Sequence, residues 1–244
     1  MGILLTLAYD GTNYCGWQMQ KNGISVSQKL EVSLSNIITN FSILGASRTD
    51  AGVHALGQCV HVILSSSLKI PINKLPQVIN SLLPEDIRVV AARFVPDSFH
   101  PINDAKSKTY NYKIYNAKYL NPLTRLYEAH IPVILNIEAM SSAAVCILGR
   151  QDFAAFCSSG SSVKSTIRTI FNLDIYKDGC TINININGDG FLYNMVRIIA
   201  GTLVDVGQGK TKENSLFEII KSKDRKKAGK TMPPHGLTLV EIFY

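Results

Sequence analysis

Residues 180–187 read Cys-Thr-Ile-Asn-Ile-Asn-Ile-Asn, an unbroken alternation of apolar and polar side chains. Strict period-two alternation fits a strand with one buried and one wet face, because successive side chains point to opposite sides. Thr169 to Tyr176 is β-rich, and Lys177-Asp178-Gly179 supplies a turn between the two segments. The pair predicts an antiparallel hairpin with an apolar face and an Asn-rich face. Helical spacing follows at once, with Leu192, Met195, Val196, Ile199 and Leu203 on one side of residues 192–206. Strands and helices in such proximity place the chain in the α+β class.

The remaining pattern repeats that mixture. Ile3 to Tyr9, Gln58 to Leu64, Ile87 to Val95, Thr109 to Asn116 and Leu237 to Tyr244 read as strands. Apolar spacing predicts helices over 25–39, with Ser25 or Ser27 as its cap, and over 72–82, 137–148 and 215–227. Pro96 to Lys108 is polar and turn-rich, which predicts a boundary between an N-terminal half, 1–102, and a C-terminal half, 103–244. Two α+β halves whose sheets join edge to edge is the architecture this order suggests. A sheet with a polar face and a basic rim is also a common RNA platform.

Charge and cysteines narrow the partners. The chain of 244 residues carries a net charge of +7, and the segment 221–230, KSKDRKKAGK, accounts for +5 of it. A clustered basic excess attracts polyanions. The five cysteines are odd in number, widely spaced and without a CxxC pair, which supports neither a zinc knuckle nor a disulfide framework and suits a reducing, cytoplasmic setting. No apolar run reaches the length of a membrane span, and the start lacks the basic region of a signal peptide. Gly207-Gln208-Gly209-Lys210-Thr211 ends like a phosphate-binding loop, but Val204 stands where the first glycine belongs.

Three clusters hold residue types that carry chemistry. In Ser47-Arg48-Thr49-Asp50-Ala51-Gly52-Val53-His54 a carboxylate lies two residues from an arginine in a tight loop before a strand. A nearby cation keeps such a carboxylate ionised, as a nucleophile or base must be; a simple Asp turn with a solvated Arg48 is the plainer reading. Tyr9 to Gln18 follows the first strand and holds Gly11, Gly16 and the only tryptophan, Trp17, which either serves a site or plugs a core. Gly188 to Arg197 opens a helix whose apolar run is interrupted by Arg197. An arginine there needs a partner, in a structural ion pair or in a site.

The first of these clusters, Arg48-Thr49-Asp50-Ala51-Gly52-Val53-His54-Ala55, resembles the signature of the tRNA pseudouridine synthase A family. Tyr9 to Thr12 with Gly16 to Gln20, Lys108 to Tyr112, Gln151 to Phe156, Arg168 to Ile170, Gly190 to Arg197 and Gly236 to Leu239 resemble further family motifs in the family's order. The resemblance implies isomerisation of uridine to pseudouridine in the anticodon stem-loop of tRNA, without cofactor or metal. It implies two ferredoxin-like or RRM-like α+β halves forming one extended, mixed, mostly antiparallel sheet with a central cleft. It implies Asp50 as the catalytic aspartate, Tyr110 as the active-site tyrosine and Arg197 as the basic partner of the carboxylate. Arg48 then helps extrude the base, and Thr49 and His54 join the substrate-binding set; the charge of the 221–230 cluster, beside these residues, suggests Lys226 and Lys227 as contacts to the tRNA backbone. The family also implies a homodimer in which one tRNA contacts both subunits, while a non-catalytic RNA-binding module of the same fold is the competing expectation. One departure is visible: Ser47 stands where the family usually has glycine, at about 1 kcal/mol of strain if the position needs a positive φ.

Overall fold

The computed structural model describes residues 2–21, 23–65, 67–160 and 163–244. The chain divides into two compact units, Met1–Lys106 with Thr238–Tyr244, and Ser107–Leu237.

The first unit contains β1 (Gly2–Tyr9), α1 (Val26–Ser35), β2 (Phe41–Gly45), β3 (His54–Leu64), α2 (Leu75–Asn80) and β4 (Ile87–Val95). β1 lies between β3 and β4, antiparallel to both. A strand flanked on two sides and covered on two faces reads as continuous apolar sequence, and Ile3, Leu4, Leu5 and Leu7 are all buried. β2 adds to the far end of β3 in antiparallel register. Ser25, not Ser27, caps α1 by accepting the Gln28 N–H on its side chain. The helix stops at Ser35, short of the expected Thr39, because the chain must turn through Asn40 (φ 55°) into β2. That strand went unforeseen: five residues with no clean alternation give no period to detect. α2 is likewise shorter than 72–82.

One buried group of this unit sets a pH dependence. His61 on β3 is 1% exposed and packs edge-on to Phe99, with ring centroids 5.5 Å apart. Burial holds its pKa below the ordinary histidine value; Asp97 opposes the shift and His100 adds to it. The unfolded chain therefore takes up a proton at a higher pH than the folded one, so stability is lost as pH falls below the ordinary value. Between about pH 7.5 and about pH 5.5 the urea midpoint of the wild type is expected to drop more than that of His61→Phe. Equal drops would remove His61 as the cause.

The second unit contains β5 (Ser107–Tyr115), β6 (Ala129–His130), α3 (Ile137–Ala144), β7 (Gly149–Asp152), β8 (Ile167–Asp178), β9 (Thr181–Gly188), α4 (Met195–Gly207) and α5 (Ser215–Ser222). The expected hairpin is β8 and β9, in register Ile175↔Ile184 and Leu173↔Ile186. It is longer than its sequence signal: Lys177 and Asp178 belong to β8, and the turn is Gly179-Cys180 with Gly179 at φ 57°. β5 pairs antiparallel with the other edge of β9, β7 with β8, and β6 lies parallel to β5. Ile182, Ile184 and Ile186 are buried with Tyr110, Tyr112 and Ile114, each isoleucine contributing about 2 kcal/mol relative to an exposed one. The asparagine stripe is not left open. Asn111 on β5 donates to Asn183 (3.2 Å) and Asn185 (2.6 Å), and Asn187 donates to Thr109 (2.8 Å).

Two helices end earlier than apolar spacing suggests. α3 gives way at Val145 to a single tight turn, and Gly149 at φ 88° leads into the unforeseen strand β7. α5 ends at Ser222, where Lys223 adopts φ 54°; Asp224 then caps a separate short turn, Arg225–Lys227. Of the basic cluster, Lys221 is in the last turn of the helix, and the rest follows it in a capped turn and loop. The last strand, β10 (Leu237–Phe243), runs parallel to β3 through Thr238↔His54 and Leu239↔Ala55. It thus rejoins the first unit, across the division expected near residue 103. No helix among the described residues is long and apolar enough to cross a membrane.

Candidate functional site

Asp50 lies in the loop between β2 and β3, and a second loop, residues 10–18 after β1, supports it from behind. The Trp17 N–H donates to the Thr49 carbonyl (3.0 Å), and the Gly52 N–H to the Tyr14 carbonyl (3.4 Å). The Tyr9 and Thr49 hydroxyls share a buried hydrogen bond of 2.7 Å. Gly16, at φ 105°, lies so close that a Cβ there would be 2.5 Å from the Thr49 carbonyl oxygen and 3.0 Å from the Asp50 carbonyl carbon. Only glycine allows that approach and that φ together. The supporting loop is itself fixed: the Tyr14 hydroxyl donates to Asp86 (2.6 Å), and the Trp17 ring stacks on Tyr9. Trp17 is buried, so of its two readings the core plug is the observed one.

Asp50 is half-buried, and its carbonyl accepts the Val53 N–H (3.1 Å) in the turn that leads into β3. Arg48 is exposed. Ser47 takes no positive φ, so the strain anticipated there is absent. Its N–H and C=O are both held by the Gln58 amide, at 3.3 and 2.6 Å, which anchors the loop to β3. Thr49 and His54 were expected to meet substrate. Thr49 is buried with its hydroxyl on Tyr9. His54 is buried too, its Nδ1 accepting from the Gly11 N–H (3.0 Å) and standing 3.1 Å from an Asp10 oxygen. Asp10 in turn accepts from the Thr12 N–H at 2.9 Å. Both residues thus tie the two loops together.

Tyr110 and Arg197 belong to the second unit. Tyr110 is buried on β5 and packs edge-on to Phe191, with centroids 5.2 Å apart. Arg197 is in the first turn of α4, half-buried. Its Nε donates to the Met232 carbonyl (2.7 Å), and one Nη to the Asn194 side-chain oxygen (2.6 Å). Its own carbonyl accepts the Met232 N–H (3.2 Å). The segment 228–233 therefore runs pressed along α4. At Gly201 a Cβ would fall 1.9 Å from the Lys230 carbonyl oxygen, so any larger residue would push the segment away. The Tyr112 hydroxyl donates to the Pro233 carbonyl at 2.8 Å. Burial raises the pKa of that phenol, and the Arg197 charge opposes the rise. Lys226 and Lys227 are exposed on the loop after α5.

Chemically, the first unit offers a rigidly backed carboxylate, and the second a guanidinium and a phenol whose neighbours set their directions. Sequence reasoning named Asp50 and Arg197 as candidates and Gly16 as a loop former, but gave no holding role to Tyr9, Asp10, Gln58, Asn194 or Met232. Tyr9, Asp10, Gly16 and Asn194 stand inside the clusters already singled out; Gln58 and Met232 carry no local signal.

The family model described as tRNA pseudouridine synthase matches residues 6–102 and 143–244. A relative from Thermoanaerobacter sp. (strain X514), named tRNA pseudouridine synthase A, is 51% identical over 243 residues, covering 99% of each chain. Another of the same name, from Ruminiclostridium cellulolyticum, is 46% identical over 244 residues with the same coverage. A match over most of the chain, with relatives near half-identity along its whole length, settles the family: this chain belongs to the tRNA pseudouridine synthases.

Proposed function

We propose that this chain isomerises uridine to pseudouridine in the anticodon stem-loop of tRNA, with Asp50 as the reacting carboxylate and without cofactor or metal. The observation that carries the reading is the doubly fastened loop around Asp50, backed at Gly16 and anchored at Gln58. Precise placement of a charged group is what a bond-breaking step at a sugar carbon needs.

The reaction breaks the N1–C1′ bond, turns the uracil, and joins C5 to C1′; C5 loses its proton and N1 gains one. A carboxylate serves by bonding to the sugar or the ring, or by stabilising positive charge at C1′. Arg197 is the proposed basic group of the reaction, since a cation favours the ionised form of a carboxylate. The uridine must leave the helical stack, at a penalty of a few kcal/mol. Arg48 assists that extrusion, and the Tyr110 ring holds the base with its hydroxyl toward the C5 proton. In this reading Thr49 and His54 act through the loop they fasten. A homodimer sharing one tRNA, working in the cytoplasm, completes the proposal.

Lys226 and Lys227 are proposed contacts to the tRNA backbone, where binding gives affinity without sequence readout and weakens with salt. One set of measurements tests both parts. Unmodified tRNA carrying tritium at C5 of uridine is expected to release tritium with the wild type. Binding of the same tRNA to the Lys226→Ala/Lys227→Ala variant is expected to lose roughly two units of slope in log Kd against log salt. Tight binding without tritium release would leave a non-catalytic RNA-binding module, and an unchanged slope would leave the two lysines merely solvated.

A further inference from the structure

Asn194 breaks two habits of a helix start. It precedes α4 as the N-cap, yet its backbone is left-handed, at φ 62° and ψ 8°. An N-cap asparagine ordinarily has extended backbone and gives its side-chain oxygen to a backbone N–H of the first turn. Here no such bond forms. The oxygen instead accepts from an Arg197 Nη at 2.6 Å, and the amide nitrogen donates to the Ser158 hydroxyl at 3.0 Å. Asparagine tolerates the left-handed region better than most side chains, but glycine occupies it without strain. A side chain kept at a strained position, and withheld from its ordinary capping bond, points to a use for the side chain itself.

That use is orientation. A guanidinium is planar, so two fixed nitrogens define where the rest of the fork points. The Met232 carbonyl holds Nε, and Asn194 holds one Nη. The guanidinium only donates, so the Asn194 oxygen must face it, and the amide nitrogen is then held by the Ser158 hydroxyl. Ser158 is in turn fixed by its N–H on the Tyr193 carbonyl (3.1 Å). We propose that Asn194 is a positioning residue that aims Arg197 for the isomerisation, with Ser158 orienting its amide. This rests on the reading of Arg197 as a site group.

Glycine at this position separates the two possible roles, because it relieves the backbone while deleting the side-chain bond. Asn194→Gly is expected to match or exceed the wild type in Tm and to bind tRNA within about 2-fold of it. Its kcat should fall by about 10-fold or more, since small misplacements of a reacting group are expensive in rate. Asn194→Asp keeps an acceptor for Arg197, and the Ser158 hydroxyl can turn to donate to it, so most of the lost rate should return. Wild-type kcat in Asn194→Gly, or an Asp variant no faster than the Gly variant, would overturn the proposal. Arg197→Ala is measured alongside. Wild-type turnover in that variant would bring down the Arg197 reading itself, whereas loss there with none in Asn194→Gly would bring down only the positioning role.

Discussion

Asp50→Asn is expected to abolish tritium release, with a loss of at least about 10⁴-fold in kcat. The replacement keeps the volume and most hydrogen-bonding capacity of the side chain but removes its charge. An amide neither attacks a carbon to form the covalent intermediate nor stabilises cationic character at C1′, so either chemical route fails. Folding should be spared. The turn at this position is closed by the Asp50 backbone carbonyl and the Val53 N–H, which the substitution leaves in place. Thr49, Ser47 and Gly52 fasten the loop as well. Unchanged Tm and tRNA affinity with no turnover is therefore the expected combination. Turnover within tenfold of wild type would remove Asp50 from the chemistry.

Gly16→Ala comes second, and it acts without touching any reacting group. The new methyl would overlap the Thr49 carbonyl oxygen at 2.5 Å and press on the backbone of Asp50 and Ala51, at 3.0 and 3.2 Å. Both sides of the contact are backbone, so no flexible side chain can yield. The φ of 105° adds strain for any residue with a Cβ. Relief requires the two loops to part, which shifts Asp50. A displacement near 1 Å at a reacting group lowers kcat by about 100-fold. The clash and strain together are expected to remove roughly 1–3 kcal/mol of stability, visible as a Tm lower by several degrees. Lower Tm with wild-type kcat would mean that the supporting loop stabilises the unit without placing the carboxylate.

The sequence made the strongly periodic elements legible. The β8–β9 hairpin and the apolar face of α4 follow from spacing, and β1 from its β-rich apolar run. What stayed hidden was short or non-local. β2 and β7 are too brief to show a period, and the end of α5 at Lys223 depends on a left-handed residue that helix propensity does not announce. The candidate chemistry was visible in the Arg48–His54 signature, and the structure changed the description of its members. Thr49 and His54 enter the substrate-binding set by resemblance alone; in the structure their side chains are buried against Tyr9 and against Asp10 and Gly11. Gln58 and Met232 fix Ser47 and Arg197 from 11 and 35 residues away, and nothing local in the sequence marks a bond of that separation.

The place of β10 has a consequence for the order in which the protein is made. The unit that carries Asp50 leaves the ribosome first, but its strand beside His54 and Ala55 is encoded after the whole of the second unit. Other bonds close the same seam: Tyr244 to the Pro101 carbonyl, and the Lys106 N–H to Phe243. Domains ordinarily fold as they emerge, N-terminal first. Here the first unit waits with part of the β3 edge unpaired until synthesis has passed residue 238. A chain that stops before residue 238 therefore carries the complete Asp50 signature without the strand that finishes its unit.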